Sequence, residues 1–169
     1  LLQTLITTAH SKNEVSFQRS ILMNCINSGK AYAYDATDCF VGTVDSVQCY
    51  YDISMSLLEG ENRKKLFAPE RPIYTKERDD MPTEAKISNS LIADGCQIKG
   101  TVENCIIFKG VKVEAGAVVK NSILMQDTVI GEGSKVNCII ADKNVNVKSG
   151  VELSGAANFP VSLSKDTRI

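Results

Sequence analysis

The stretch from Asn89 to Leu153 repeats one pattern four times, in the runs Asn89-Ser90-Leu91-Ile92, Asn104-Cys105-Ile106-Ile107, Asn121-Ser122-Ile123-Leu124 and Asn137-Cys138-Ile139-Ile140. The runs begin 15 to 17 residues apart, and each is followed by a Gly-bearing or charged turn and a second short aliphatic run. This period is typical of a β-solenoid, in which each coil buries its aliphatic side chains against the coils above and below. A sandwich of short strands is the competing interpretation, but its strand spacing is usually shorter and less regular.

A finer period runs inside this stretch, because branched aliphatic residues recur about every six residues. They are Ile92, Ile98, Ile107, Val113, Val119, Leu124, Ile130 and Val136. Smaller or compact residues follow four positions later, at Cys96, Val102, Val111, Ala117, Ile123, Thr128 and Ser134. Three six-residue faces form a triangular coil, with the large side chain in the core and the small one near a corner. We therefore expect roughly four coils between Ala85 and Leu153, with glycines at corners that exclude bulky residues.

Composition and charge exclude several classes of function. The 169 residues are 43% hydrophobic and 23% charged, as is usual for a globular protein. A formal net charge of -1 and a pI of about 5.9 give no electrostatic footprint for nucleic acid. No apolar run reaches membrane length, and the first residues lack the basic start of a signal peptide. We expect a cytoplasmic protein with no nucleic-acid or membrane partner.

The six cysteines are widely spread and form no close CxxC pair. Cys105 and Cys138 stand in the repeat where Ser90 and Ser122 stand in other coils, which favours reduced structural thiols over three disulfides. A stacked thiolate metal site formed by Cys96, Cys105 and Cys138 is a further alternative. Spacing by whole coils, without a histidine or a paired cysteine, gives that alternative little support.

Three helices are predicted before the repeats, over residues 1–9, 16–28 and 46–58, followed by a charged stretch broken by prolines. The third helix turns one apolar face towards a core, made of Val47, Tyr50, Tyr51, Met55 and Leu58. The segment has too few strands for a sheet of its own, so we interpret residues 1–60 as the tail of a larger α/β domain. A small helical cap on the solenoid is the alternative. Residues 61–84 are interpreted as a linker and residues 85–169 as the β-helix domain.

The order of these parts resembles the C-terminal part of bacterial glucose-1-phosphate adenylyltransferase, the ADP-glucose pyrophosphorylase of glycogen synthesis. Two motifs carry the resemblance: Tyr50-Tyr51-Asp52-Ile53-Ser54-Met55-Ser56-Leu57-Leu58, similar to the tyrosine-rich helix that closes the family's catalytic domain, and Pro72-Ile73-Tyr74-Thr75 in the linker. The resemblance covers nearly the whole chain. It implies a mainly β protein, with a left-handed parallel β-helix of hexapeptide repeats preceded by the α/β remnant of a nucleotidyltransferase domain.

Catalytic members of that family carry an aromatic-Trp-Arg-Asp-Val-Gly-Thr run just before the tyrosine-rich helix, and its Asp is expected to help hold Mg²⁺ against the nucleotide phosphates. Counting back from Tyr50 without a gap, the Asp position is Thr43, whose neutral hydroxyl is a poor ligand for such a cation. A second alignment puts Phe40 there, and Asp38 and Asp45 are out of register in both. The chain is thus similar to the sister branch of the family, the glycogen-biosynthesis proteins GlgD, and we expect no catalytic or metal-binding residue.

The resemblance implies a regulatory or scaffolding subunit that assembles with a catalytic pyrophosphorylase subunit in a homo- or hetero-oligomer. It implies no cofactor in this chain, since Mg²⁺ is expected in the catalytic partner. The alternative is an active sugar-nucleotide pyrophosphorylase whose active-site half lies outside these residues. The chain has no Gly-rich nucleotide-binding loop, so we do not expect these 169 residues to transfer an adenylyl group alone.

Arg63, Lys64, Lys65 and Arg71 form the candidate effector site, because pyrophosphorylases of this family are typically regulated by phosphorylated sugars or anions near the junction of their domains. Arginine and lysine side chains could hold such a phosphate. Acidic residues are interleaved with these bases, which favours the competing interpretation of a solvated, salt-bridged linker.

Hexapeptide β-helices also occur in acyltransferases and γ-type carbonic anhydrases, so the fold alone does not define the function. Acyltransferases of this kind generally present a histidine base from a coil, and the carbonic anhydrases need three histidines on zinc. The only histidine, His10, lies outside the predicted coils, which argues against both activities.

Overall fold

The computed structural model of the protein describes residues 1–29, 31–70, 72 and 85–169. The contacts divide the chain into two units, Leu1–Thr37 and Asp38–Ile169. Within the described residues, no helix has the length and apolar character needed to cross a membrane.

The first unit is helical. Helix α1 covers Leu2–Ser11, a π-helix covers Phe17–Leu22 and helix α2 covers Met23–Asn27. The hydroxyl of Ser16 starts the π-helix by accepting a hydrogen bond from the Arg19 amide at 3.3 Å, as a capping serine does. Two of the three predicted helices are thus present here.

The second unit begins with helix α3, Val47–Ser56, and helix α4, Gly60–Leu66. The hydroxyl of Ser46 caps α3 by accepting a hydrogen bond from the amide of Cys49 at 3.1 Å. Apart from Gly60, helix α4 lies in the predicted linker 61–84, of which residues 71 and 73–84 fall outside the described residues. The boundaries predicted for the domains stay a prediction. Val47 was predicted to face the core, but this residue is 51% exposed.

Over residues 85–169, fourteen short strands build the β-helix, and each strand pairs in parallel with the strand one coil away. Sheet A contains β1 Lys86–Ser88, β4 Thr101–Glu103, β7 Val118–Lys120, β10 Lys135–Asn137 and β13 Glu152–Ser154. Sheet B contains β2 Leu91–Ile92, β5 Ile106–Ile107, β8 Ile123–Leu124, β11 Ile139–Ala141 and β14 Val161–Leu163. Sheet C contains β3 Gln97–Ile98, β6 Lys112–Val113, β9 Val129–Ile130 and β12 Asn146–Val147. The predicted mainly β fold with a parallel β-helix is confirmed, and the left hand of its coils stays a prediction from the resemblance.

The register shows how equivalent residues of successive coils align. Lys86 pairs with Thr101, which pairs with Val118, and the column continues through Lys135 to Glu152. A fifth coil follows: β14 pairs with β11, and the amide of Lys148 donates to the carbonyl of Ile169 at 2.7 Å. The β-helix therefore extends beyond Leu153, to the last residue of the sequence.

The core consists mainly of inward-facing aliphatic residues of the strands, with residues such as Cys96, Ala117 and Val145 added between strands. The predicted inward residues Ile98, Ile107, Val113, Val119, Leu124, Ile130 and Val136 are all buried. Ile92 in the first coil is partly buried. Ile123 is an exception among the compact residues, because it belongs to a second apolar cluster on the outer face of sheet B. Burial of these side chains is the main source of stability of the solenoid.

The fourth coil is shifted by one residue relative to the sequence repeat. Asn89, Asn104 and Asn121 have φ between 40° and 54°, but in the fourth coil the left-handed residue is Cys138, with φ 52°. Asn137 instead ends β10, and Ile140 pairs with Ile123. The predicted equivalence of Cys138 with Cys105 is therefore wrong, because the backbone of the fourth coil turns one residue later. It is the Ile139 amide that donates to the Ser122 hydroxyl, as the Cys105 amide does to Ser90.

We predict that Gly131→Ala lowers the free energy of unfolding by about 1–3 kcal/mol, because the added methyl group would overpack a coil corner. A Cβ at Gly131 would lie 2.5 Å from the Ser149 amide nitrogen and 2.8 Å from the Val147 carbonyl oxygen. Gly60→Ala is the matched control, since a Cβ there meets no atom within 4 Å and lies in helix α4. Denaturant unfolding of both variants is the measurement. Equal stability of the two would contradict the corner geometry.

Candidate functional site

The outer face of sheet B carries an unusual column of apolar residues. Leu91, Ile106, Ile123 and Ile140 occupy equivalent positions in four successive strands. Their neighbours along the strands face the core, so both faces of the sheet are aliphatic here. A sheet with two apolar faces needs a covering element on its outer side.

Helix α3 is that covering element. Tyr51 is 5% exposed and packs with Ile123 and Ile140, of which Ile123 is completely buried. Tyr50, Met55, Ile106 and Met125 surround this cluster as partly buried residues. Helix α3, which contains the tyrosine-rich motif, therefore packs directly on sheet B of the β-helix.

One hydrogen bond lies at the centre of this junction. The Tyr51 hydroxyl donates to the backbone carbonyl of Asn121 at 2.6 Å. Burial, followed by the hydrogen bond with the neighbouring Cys138 side chain, raises the pKa of Tyr51 above its usual value of 10.0. The shifted residue of the fourth coil thus faces the helix, and Tyr51 stays a neutral donor over the usual range of pH.

Two further contacts fix α3 and the segment before it. The Gln48 side-chain amide donates to the carboxylate of Asp52 at 2.8 Å and to the carbonyl of Ala157 at 2.9 Å. Gly42 lies against Ile53, since a Cβ at Gly42 would be 2.9 Å from the Ile53 Cδ1 atom. The β-helix therefore holds α3, and α3 in turn holds the segment at residues 40–46.

Thr43, at the predicted degenerate metal position, lies in this segment, outside regular structure and exposed to solvent. Asp38 and Asp45 are also exposed. Within the described ranges, no group of three or more His, Cys, Asp or Glu side chains could hold a metal ion. A threonine hydroxyl is a poor ligand for Mg²⁺, and the loss of the metal site at this position stays a prediction.

The structure places three of the predicted effector residues, Arg63, Lys64 and Lys65, in the last turns of helix α4. Consecutive residues on an α-helix point about 100° apart, so these three side chains do not converge on one point. The Nζ atom of Lys64 lies 3.1 Å from the Oε1 atom of Glu61 in an exposed ion pair. Arg71 lies outside the described residues, and the effector site stays a prediction.

The buried thiols are held separately by backbone carbonyls. Cys96 donates to the carbonyl of Phe108 at 3.2 Å, and Cys105 donates to the carbonyl of Glu103 at 3.1 Å. Burial raises the pKa of Cys96 and raises that of Cys105 to about 12. Both groups are therefore protonated at neutral pH, which disfavours the thiolate metal site considered as an alternative.

Sequence reasoning missed the docking of α3 on sheet B, although the motifs on both sides of the junction had been recognised. The available sign was the aliphatic doublet in each repeat, such as Ile106-Ile107 and Ile123-Leu124. Neighbouring residues of a strand face opposite sides, so a doublet indicates burial of both faces.

We predict that Tyr51→Phe lowers the free energy of unfolding by about 1 kcal/mol at neutral pH, because the Asn121 carbonyl loses its donor. The raised pKa of Tyr51 adds stability that is complete below pH 10 and is lost as the pH rises above it. Tyr51→Phe should therefore also reduce the loss of stability above that pH. Tyr34→Phe is the control, since Tyr34 is 84% exposed. Unfolding measured from neutral to alkaline pH tests this, and identical profiles for the two variants would contradict it.

Comparisons with known proteins extend these observations. Residues 74–157 match the family model described as GlmU-like, C-terminal hexapeptide. The chain is 41% identical over 130 residues to the glycogen biosynthesis protein GlgD of Bacillus subtilis, covering 75% of this chain and 38% of that protein. It is 49% identical over 70 residues to GlgD of Geobacillus stearothermophilus, covering 39% of this chain and 20% of that protein.

A further relative is the glucose-1-phosphate adenylyltransferase of Acetivibrio thermocellus, 31% identical over 154 residues, with 87% of this chain and 35% of that protein covered. The aligned region thus spans little more than a third of the B. subtilis and A. thermocellus proteins. The match to the A. thermocellus protein is long enough to include both the segment around α3 and the hexapeptide coils. The chain therefore belongs, through its hexapeptide β-helix and the segment that precedes it, to the family of GlgD proteins and glucose-1-phosphate adenylyltransferases.

Proposed function

We propose that this chain is the C-terminal part of a regulatory and scaffolding subunit of glucose-1-phosphate adenylyltransferase in glycogen biosynthesis. The catalytic partner subunit converts ATP and glucose-1-phosphate to ADP-glucose and diphosphate, and it supplies the Mg²⁺ site. The two subunits form a cytoplasmic oligomer. The 41% identity to GlgD of B. subtilis is the single observation that carries the proposal.

The chemistry of Thr43 supports a subunit without its own activity. A neutral hydroxyl stands where the catalytic relatives are expected to carry a carboxylate, and such a group binds a hard divalent cation weakly. The exposed Asp38 and Asp45 are out of register with that position. The role left to this part of the chain is therefore one of contact and regulation.

The docking of α3 supports a scaffolding role. The Tyr51 hydrogen bond and the burial of Ile123 and Ile140 connect the segment at residues 40–46 to a stiff stack of coils. A ligand or partner that binds the coils could therefore influence this segment, provided that it prefers one arrangement of the junction. The basic residues Arg63, Lys64, Lys65 and Arg71 remain our proposed contact for a phosphorylated effector.

An active sugar-nucleotide pyrophosphorylase is the second candidate. It is favoured by the match to the A. thermocellus enzyme, which extends over 87% of this chain. In that case the catalytic groups would lie in a part of the protein outside these 169 residues.

We predict that the full-length subunit, purified alone, makes little ADP-glucose from ATP and glucose-1-phosphate, and that adding it changes the rate or regulation of the catalytic subunit. Thr43→Asp should not restore activity, because Val41 and Gly42 also stand where the catalytic relatives are expected to carry Trp and Arg. Diphosphate release by each subunit alone and by the mixture is the measurement. Robust activity of the wild-type subunit alone would support the second candidate and contradict our proposal.

A further inference from the structure

A groove of about 590 Å³ lies beside the N-terminal end of helix α3. Val47 and Tyr50 of the helix form one side, while Met125 and Leu163 of the β-helix form the other. Val47 is 51% exposed, and Val44, in the segment that enters the helix, is 60% exposed. Clustered apolar side chains exposed in this way are typical of an interaction surface.

A turn in the fifth coil, at residues 155–160, lies at the same end of α3. Residues 155–160 form a small turn in which Ala156 and Phe159 pair with each other, and Phe159 is 78% exposed. The Gln48 side chain of α3 donates to the carbonyl of Ala157, so the turn is fixed beside the helix. An exposed aromatic side chain on a fixed backbone loses little conformational freedom on binding and is suited to anchor a partner.

The charge of the groove indicates the chemistry of its occupant. Asp45 and Asp142 line it, and no lysine or arginine does so among the described residues. Asp142 is held by its own turn, because its carboxylate accepts a hydrogen bond from the Lys143 amide at 2.7 Å. Two carboxylates beside apolar walls are complementary to an apolar side chain flanked by positive charges.

We propose that this groove binds a segment of the catalytic subunit in which an aliphatic or aromatic side chain is flanked by lysine or arginine. The proposal rests on the proposed function, which supplies the partner. The apolar side chain enters between Val47 and Leu163, Phe159 packs against the partner beside it, and the basic groups pair with Asp45 and Asp142. This assigns subunit association to the end of the β-helix nearest the start of α3.

The affinity of the full-length subunit for the catalytic subunit tests the proposal. Val47→Asp should weaken association at least about tenfold, because it places a charge in the apolar wall. Asp45→Lys should weaken it and reduce its dependence on salt, because a favourable charge becomes repulsive. Glu132→Lys is the matched control: it reverses an exposed carboxylate beside sheet C and should leave the affinity within about twofold. Thermal unfolding of each variant establishes that it is folded.

Wild-type affinity of both groove variants, with association otherwise intact, would overturn the groove while leaving the proposed function standing. Failure of the wild-type subunit to associate with the catalytic subunit at all would instead overturn the proposed function, and the groove assignment with it.

Footprinting with a carbene or hydroxyl radical distinguishes the possible occupants without any substitution. Protection of Val47 and Phe159 that appears only when the catalytic subunit is added supports the proposal. Protection already present in the dilute full-length subunit would mean that its own chain covers the groove. Protection that grows with the concentration of the lone subunit would mean that a second copy does. Either of the last two results overturns the proposal.

Discussion

The chain must turn through the left-handed backbone region once per coil between sheets A and B, and the rest of the β-helix depends on how that turn is made. Asn89, Asn104 and Asn121 occupy this position, because asparagine tolerates a positive φ better than most residues. Their side chains also bond to one another: the Asn89 amide donates to the Asn104 oxygen at 2.8 Å, and the Asn104 amide to the Asn121 oxygen at 2.7 Å. One residue type thus sets both the corner and the alignment of successive coils.

The fourth coil separates these two roles. Asn121 continues the ladder by donating to the Asn137 oxygen at 2.9 Å, yet the backbone turn has moved to Cys138. The side-chain ladder is therefore kept although the asparagine of the fourth coil lies one residue before the turn. Cys138, which takes the turn position instead, lies against Tyr51 of the docked helix. This departure from the sequence repeat coincides with the junction to α3.

Local periodicity explains why the coils and their core could be predicted from the sequence. Residues such as Ile98, Val113 and Ile130 recur at nearly fixed intervals, and each contacts its equivalent one coil away. The docking of α3 has no such period, since it depends on which outer face is covered by a distant segment. The shift at Cys138 was hidden for a related reason: the letters of the repeat follow the asparagine ladder, whereas the backbone follows the turn. The candidate site was predicted least well. The resemblance located Thr43 in a motif, but it could not show that Gly42 packs on Ile53.

The junction between α3 and the β-helix joins residues that are far apart in the sequence. This separation has a consequence for how the chain folds during its synthesis. Strands within the solenoid pair at separations of 15 to 17 residues in the first four coils, so each coil can add to the one before it soon after it leaves the ribosome. Tyr51 meets Asn121 across 70 residues, and Gln48 meets Ala157 across 109. Helix α3 is therefore synthesised well before its docking surface exists, and its apolar face stays without that cover until the fourth coil has formed. Nascent chains at this stage are the ones most exposed to aggregation and to capture by chaperones.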